Sequence, residues 1–287
     1  MEDARPQKLF NIATAALMAA FLLLGFGKGG FLESAQKYVA NNVHESQNYS
    51  AQSASPQNIS SAASKVSASV VSVNVMQKVY NNFSDYPLAF DVNLPAGAAQ
   101  NAPATDEEVA AGTGFFITSD GYILTNNHVV ENSSDYYTVT LSGGNGTVPA
   151  QVVFKDPADD LAIIKIPGNN YSPAALGDSS AVKIGQGVAG IGNALGKFPG
   201  TVSTGNVIGL DKNIIASGLD SSEQLGGLIE TNANMYPGDS GGPLLDTGGK
   251  VVGVDVAIDE NTGTSFSIPV NTAQSFIQRT LGTLALK

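Results

Sequence analysis

Residues 226–258 read GGLIETNANMYPGDSGGPLLDTGGKVVGVDVAI. Three apolar runs, GGLIETN (226–232), GPLLD (242–246) and KVVGVDVAI (250–258), are separated by Gly, Pro, Asn and Asp. Short β-branched runs bounded by such residues predict strands joined by tight turns. The middle of the stretch, Tyr236-Pro237-Gly238-Asp239-Ser240-Gly241-Gly242-Pro243, sets one serine on a glycine-rich turn directly before a strand. A nucleophilic serine needs its Oγ in a cleft and nearby N–H groups aimed where the tetrahedral oxyanion forms. Gly238 permits a turn that brings its own N–H beside that of Ser240, while Gly241 and Gly242 leave room for substrate backbone. The same residues also make a generic turn, so the reading needs partners elsewhere. Leu176-Gly177-Asp178-Ser179-Ser180 lacks the following glycines and reads as a plain turn.

Outward from this stretch the texture repeats. GVAGIGN (187–193), TVSTGNVIGL (201–210) and TSFSIPV (264–270) complete one series of strands. An earlier series comprises SVVSVNVM (69–76), GTGFFIT (112–118), GYILTN (121–126), YTVTLS (137–142), AQVVF (150–154) and LAIIKI (161–166). Two sets of about six strands argue for an all-β class, paired barrels or a sandwich. NTAQSFIQRTL (271–281) places Ala273, Phe276, Ile277 and Leu281 on one face and predicts a closing helix. Asn81 to Ala111, rich in Pro, Ala, Asn and Asp, reads as a flexible surface insertion.

Leu9 to Phe26 is an uncharged run, LFNIATAALMAAFLLLGF, with Arg5 and Lys8 before it. As a helix it would span roughly 27 Å, near the hydrocarbon thickness of a bilayer. The flanking charges favour a cytoplasmic N-terminus. No small-residue cleavage pattern follows, so an uncleaved anchor is preferred to a removed signal peptide. The expected order is a cytoplasmic tail (1–8), a transmembrane anchor (9–27), a stalk or linker (28–57) and one large domain (58–287), with that domain extracytoplasmic.

With 287 residues, 43% of them hydrophobic, the chain can bury a real core. Its net charge of −11, with no basic stripe, argues against nucleic acid as a partner. The absence of cysteine excludes a thiol nucleophile and thiolate metal sites, and two histidines make a His-rich metal site unexpected.

A serine hydroxyl needs a base, usually imidazole. His44 lies in the linker, whereas His128 closes the apolar strand of Leu124-Thr125-Asn126-Asn127-His128-Val129-Val130. The imidazole in turn needs a buried carboxylate to orient it. Asp156, Asp159 and Asp160 are the candidates; Asp160 directly abuts the apolar run LAIIKI, and the choice between Asp159 and Asp160 stays open on chemistry alone.

TNNHVV, DPADDLAIIKI and NANMYPGDSGGPLLD occur in that order, with ALGDSSAVKIGQGVAGIGNALG between the last two. Together they resemble the HtrA/Deg family of trypsin-like serine proteases over roughly residues 58–280. The resemblance implies two perpendicular six-stranded β-barrels with a cleft between them, and a serine endopeptidase with no metal or organic cofactor. By motif position it puts catalysis on His128, Asp160 and Ser240, and the oxyanion donors on the backbone of Gly238 and Ser240. Its implied partners are protein or peptide substrates, misfolded or exposed, and a homotrimer, for which no contact residues can be matched.

Three departures from the family pattern stand out. Asp239 replaces the usual Asn before the nucleophile and is expected to need a cation or water. Asn234 and Met235 predict an uncharged, apolar pocket for the residue before the scissile bond (P1), although Asp255 on the pocket wall could instead admit basic side chains. The sequence ends at Lys287, and no PDZ domain is expected after the closing helix.

Overall fold

The computed structural model describes residues 56–80, 104–132, 136–144, 146–194, 198–217, 222–259 and 262–282. Residues 54–213 and 225–287 form one compact unit. It opens with helix α1 (Pro56–Val66), which buries Ala62, Ala63 and Val66.

Six strands follow: β1 (Val70–Tyr80), β2 (Ala104–Phe116), β3 (Tyr122–Thr125), β4 (Tyr136–Thr140), β5 (Thr147–Asp156) and β6 (Leu161–Lys165). They close into a barrel in the order β1-β2-β3-β6-β5-β4. The second set is β7 (Gly187–Ala194), β8 (Phe198–Ser217), β9 (Ser222–Thr231), β10 (Pro243–Asp246), β11 (Val251–Asp259) and β12 (Thr264–Pro269). It closes in the order β10-β11-β12-β9-β8-β7. Helix α2 (Val270–Leu281) ends the unit and buries Val270, Ala273, Phe276 and Ile277, the face expected from their spacing. Leu281 is only half-buried.

The cores follow from the alternation of each strand. Val71, Val73 and Val75 of β1, Phe116 of β2, Ile123 of β3, Val139 of β4 and Ile164 of β6 fill the first barrel. Val188, Val207, Ile229, Met235, Leu244 and Val252 pack in the second. β6 is buried along Leu161 to Ile164, so the strand that leaves Asp160 is anchored from its first residue.

Two boundaries differ from the sequence reading. The insertion expected over 81–111 is shorter, because β2 begins at Ala104 and pairs with β1 from Tyr80↔Ala104 to Val70↔Phe115. Residues 104–111 carry little strand propensity; ladder hydrogen bonds to β1 make them a strand. The linker expected to run through residue 57 ends earlier, since α1 starts at Pro56. The expected anchor at 9–27 lies outside the described residues; among the described residues no helix is long and apolar enough to cross a membrane.

Ile164 is fully buried at the centre of the first barrel. Ile164→Ala should cost about 3 kcal/mol through lost burial and the cavity left behind. A urea melt reads this as a lower midpoint at unchanged slope; a loss under about 1 kcal/mol would contradict this core assignment.

Candidate active site

Asp160 sits where the β5–β6 turn enters β6, with φ of 49°, in the left-handed region. Asp tolerates this region better than most residues, though at some cost. Two contacts hold the conformation. The Asp160 carbonyl accepts from Asn126 Nδ2 at 2.9 Å and from the Asn127 N–H at 3.1 Å. The carboxylate is thereby turned onto the next residue along: Oδ1 accepts from the His128 backbone N–H at 2.9 Å, and Oδ2 lies 2.7 Å from His128 Nδ1.

Asp160 is 1% exposed, while the His128 side chain is 36% exposed. A dry carboxylate at Nδ1 places the ring proton there and leaves Nε2 as the basic nitrogen. Asp156 is committed elsewhere, and the bond of Asp159 runs through its backbone. Asp156 Oδ2 accepts from Arg279 Nη2 at 2.7 Å and Asp156 Oδ1 from the Asp159 N–H at 3.4 Å. The structure therefore brings Asp160, not Asp156 or Asp159, to His128.

The Ser240 turn docks against the same end of the first barrel. The Thr113 N–H donates to the Ser240 carbonyl at 2.8 Å. A β-carbon on Gly112 would meet both the Ser240 carbonyl and the side chain of Val129, the residue after His128. One on Gly241, where φ is 86°, would collide with the Thr113 carbonyl and the Thr125 hydroxyl. Only glycine lets the turn approach this closely. Gly238 also has a left-handed φ, of 98°. Among the described residues no backbone carbonyl accepts the N–H of Gly238 or of Ser240.

Beneath the turn lie two buried carboxylates. Asp239, 3% exposed, accepts from the Tyr236 N–H through Oδ2 at 2.8 Å. Its Oδ1 has no hydrogen-bond partner among the described residues and faces Gly192 of β7. Of the cation or water expected for Asp239, no cation is found among the described residues, where the Tyr236 amide is its side-chain partner. Burial raises the Asp239 carboxyl to about 6, against the Tyr236 hydrogen bond.

Asp255, 1% exposed, accepts from the Ser267 hydroxyl at 2.7 Å. Burial pushes its carboxyl well above the usual range; the Ser267 bond opposes this and the charge of Asp239 adds to it. Its backbone brackets the Ser240 turn: the Asp255 carbonyl accepts from the Gly241 N–H and the Asp255 N–H donates to the Gly242 carbonyl, each at 2.8 Å.

The three pocket candidates separate. Met235 and Asp255 both lie against Gly190, whose β-carbon would be 3.0 Å from Asp255 Oδ2 and 3.6 Å from Met235 Sδ. Asn234 is exposed, and its Nδ2 donates to the Tyr236 hydroxyl at 2.7 Å. Among the described residues no three His or acidic side chains cluster closely enough to hold a metal ion.

Asn126 and Thr113 were not singled out from the sequence, though both occur inside quoted motifs. Both are polar side chains that the fold buries completely, a property the sequence does not announce.

A model of the trypsin-like peptidase domain matches residues 112–254. The chain is 37% identical over 193 residues to a probable periplasmic serine endoprotease, DegP-like, of Brucella suis, covering 65% of this chain and 36% of that protein. It is 36% identical to the serine protease Do-like HtrA of Bacillus subtilis, over 64% of this chain and 42% of the relative. The chain thus spans well under half the length of these relatives. Among solved structures, the HtrA-type protease AlgW with decapeptide superposes with a TM-score of 0.62 at 27% identity, over 78% of this chain and 68% of that one.

The buried acids carry a pH signature. With Asp239 raised from 3.8 to about 6, the native state binds more protons than the unfolded chain between these values. Stability therefore falls as pH rises through that window, and Asp255 shifts in the same direction. Asp239→Asn should gain melting temperature relative to wild type as pH is raised from about 4 to about 6.5. Parallel curves for the two proteins would contradict a buried, cation-free Asp239.

Proposed function

We propose that this chain, which carries an HtrA-type trypsin-like peptidase domain, is a serine endopeptidase acting through an acyl-enzyme on Ser240. The observation that carries the reading is the 2.7 Å contact between His128 Nδ1 and the buried Asp160, on the same end of the barrel to which the Ser240 turn is hydrogen-bonded. His128 takes the proton from Ser240 as the hydroxyl attacks a peptide carbonyl. Asp160 holds the tautomer and stabilises the imidazolium that forms. The N–H groups of Gly238 and Ser240 receive the oxyanion. His128 then protonates the leaving amine, and water repeats the sequence to release the acid.

The pocket beside the turn takes an uncharged, apolar P1 side chain in this reading. Met235 supplies apolar surface, and burial favours the neutral form of Asp255. A charged guest would need an ionised partner that the site disfavours. Asn234, turned to Tyr236, belongs to the rim.

The Brucella suis relative, a probable periplasmic serine endoprotease, supports an extracytoplasmic protease domain. The apolar run at 9–26 after Arg5 and Lys8 supports a single-pass anchor with its N-terminus in the cytoplasm. Misfolded or exposed extracytoplasmic proteins are the substrate class that fits such a placement.

Ser240→Ala should lower casein hydrolysis on the order of 10⁶-fold, as loss of the nucleophile does in other serine proteases; a purified variant cleaving casein at the wild-type rate would overturn the mechanism. In a panel of fluorogenic peptides differing only at P1, Leu, Val or Ala should exceed Arg and Lys by at least about tenfold. A preference for Arg or Lys would mean that Asp255 is ionised and reads the substrate.

A further inference from the structure

Thr113 stands at the junction of three segments. It is completely buried in β2, and its hydroxyl is used twice. Oγ1 donates to the Gly238 carbonyl at 2.7 Å and accepts from the Asn193 N–H of β7 at 2.8 Å. Its backbone is used as well: the N–H donates to the Ser240 carbonyl at 2.8 Å, and the carbonyl accepts from the Thr125 hydroxyl at 2.7 Å. Thr125 lies three residues before His128. One residue therefore touches the turn that carries the nucleophile, the strand that leads to the base, and the second barrel.

The bond to Gly238 has a specific consequence. Gly238 has no side chain to lock its backbone, and glycine crosses between left- and right-handed regions at little cost. Rotation about its backbone would swing its N–H away from the point where the oxyanion forms. The Asp239 side chain, which could pin the turn from below, reaches only the Tyr236 amide among the described residues. Pinning the Gly238 carbonyl from above fixes the peptide plane that follows this amide. A hydroxyl has one proton to give, and Thr113 directs it to that carbonyl because the Asn193 N–H already occupies an acceptor position.

We propose that Thr113 is a positioning residue for catalysis, whose hydroxyl holds Gly238 in the conformation that presents its N–H to the oxyanion. The inference rests on reading Gly238 and Ser240 as the oxyanion donors. A threonine serving only to fill space would be replaceable by an isostere without a hydroxyl. A positioning threonine would be replaceable by serine instead.

The test is steady-state kinetics on a peptide p-nitroanilide with an apolar P1, comparing wild type with Thr113→Val, Thr113→Ala and Thr113→Ser. Because the oxyanion exists only along the reaction path, the hydroxyl-free variants should lower kcat by about 10- to 100-fold and leave KM within about twofold. Thr113→Ser should stay within about threefold of wild type in kcat. If Thr113→Val does not fold, the Ala and Ser variants still decide, since they differ from each other only by the hydroxyl. Hydroxyl-free variants at wild-type kcat, a serine variant as slow as the alanine one, an effect confined to KM, or failure of both hydroxyl-free variants to fold would each overturn the proposal. The underlying reading is judged separately. A folded wild type that cleaves no peptide sinks that reading and this inference together, whereas an active wild type with an unimpaired Thr113→Ala sinks this inference alone.

Discussion

A carboxylate kept out of water and aimed at one imidazole is the constraint on which the site depends. Asp160 is 1% exposed, with one oxygen on the His128 ring and the other on the His128 backbone N–H. Charge in such surroundings is tolerated only where hydrogen bonds compensate it. The left-handed φ of Asp160 is tolerated because Asn126 and Asn127 both bind its carbonyl. These contacts tie the β5–β6 turn to the end of β3, and so hold the Asp160 carboxylate on His128.

The second constraint is close backbone approach. The Ser240 turn can lie on the first barrel because Gly112 and Gly241 have no β-carbons to hold it off. Asp239 and Asp255 are buried against Gly192 and Gly190 of β7 without a cation among the described residues, and burial favours the neutral form of each. The same two acids hold the turn, Asp239 through Tyr236 and Asp255 through the backbone of Gly241 and Gly242.

Much of this was legible in the sequence. The β-branched runs marked the strands, the spacing of Ala273, Phe276 and Ile277 marked α2, and the motif resemblance paired His128 with Asp160, which the structure brings to 2.7 Å of each other. Proximity in space was what the residues could not supply. Residues 104–111 look like a loop because their strand state comes from pairing with β1, and α1 lies in a polar stretch with linker composition. Residue chemistry left Asp159 and Asp160 open and the motif resemblance chose Asp160; the left-handed φ that aims it is not announced by composition. Thr113 was hidden for the same reason: its importance lies in four hydrogen bonds to segments distant in the chain.

The most direct measurement of the central claim is to map the covalent adduct formed when the folded protein reacts with a fluorophosphonate. Peptide mapping by mass spectrometry should place the phosphonyl group on Ser240, with labelling strongly slowed when Asp160 is changed to Asn. An adduct on another residue, or labelling indifferent to Asp160, would contradict a nucleophile activated through His128 and its buried acid.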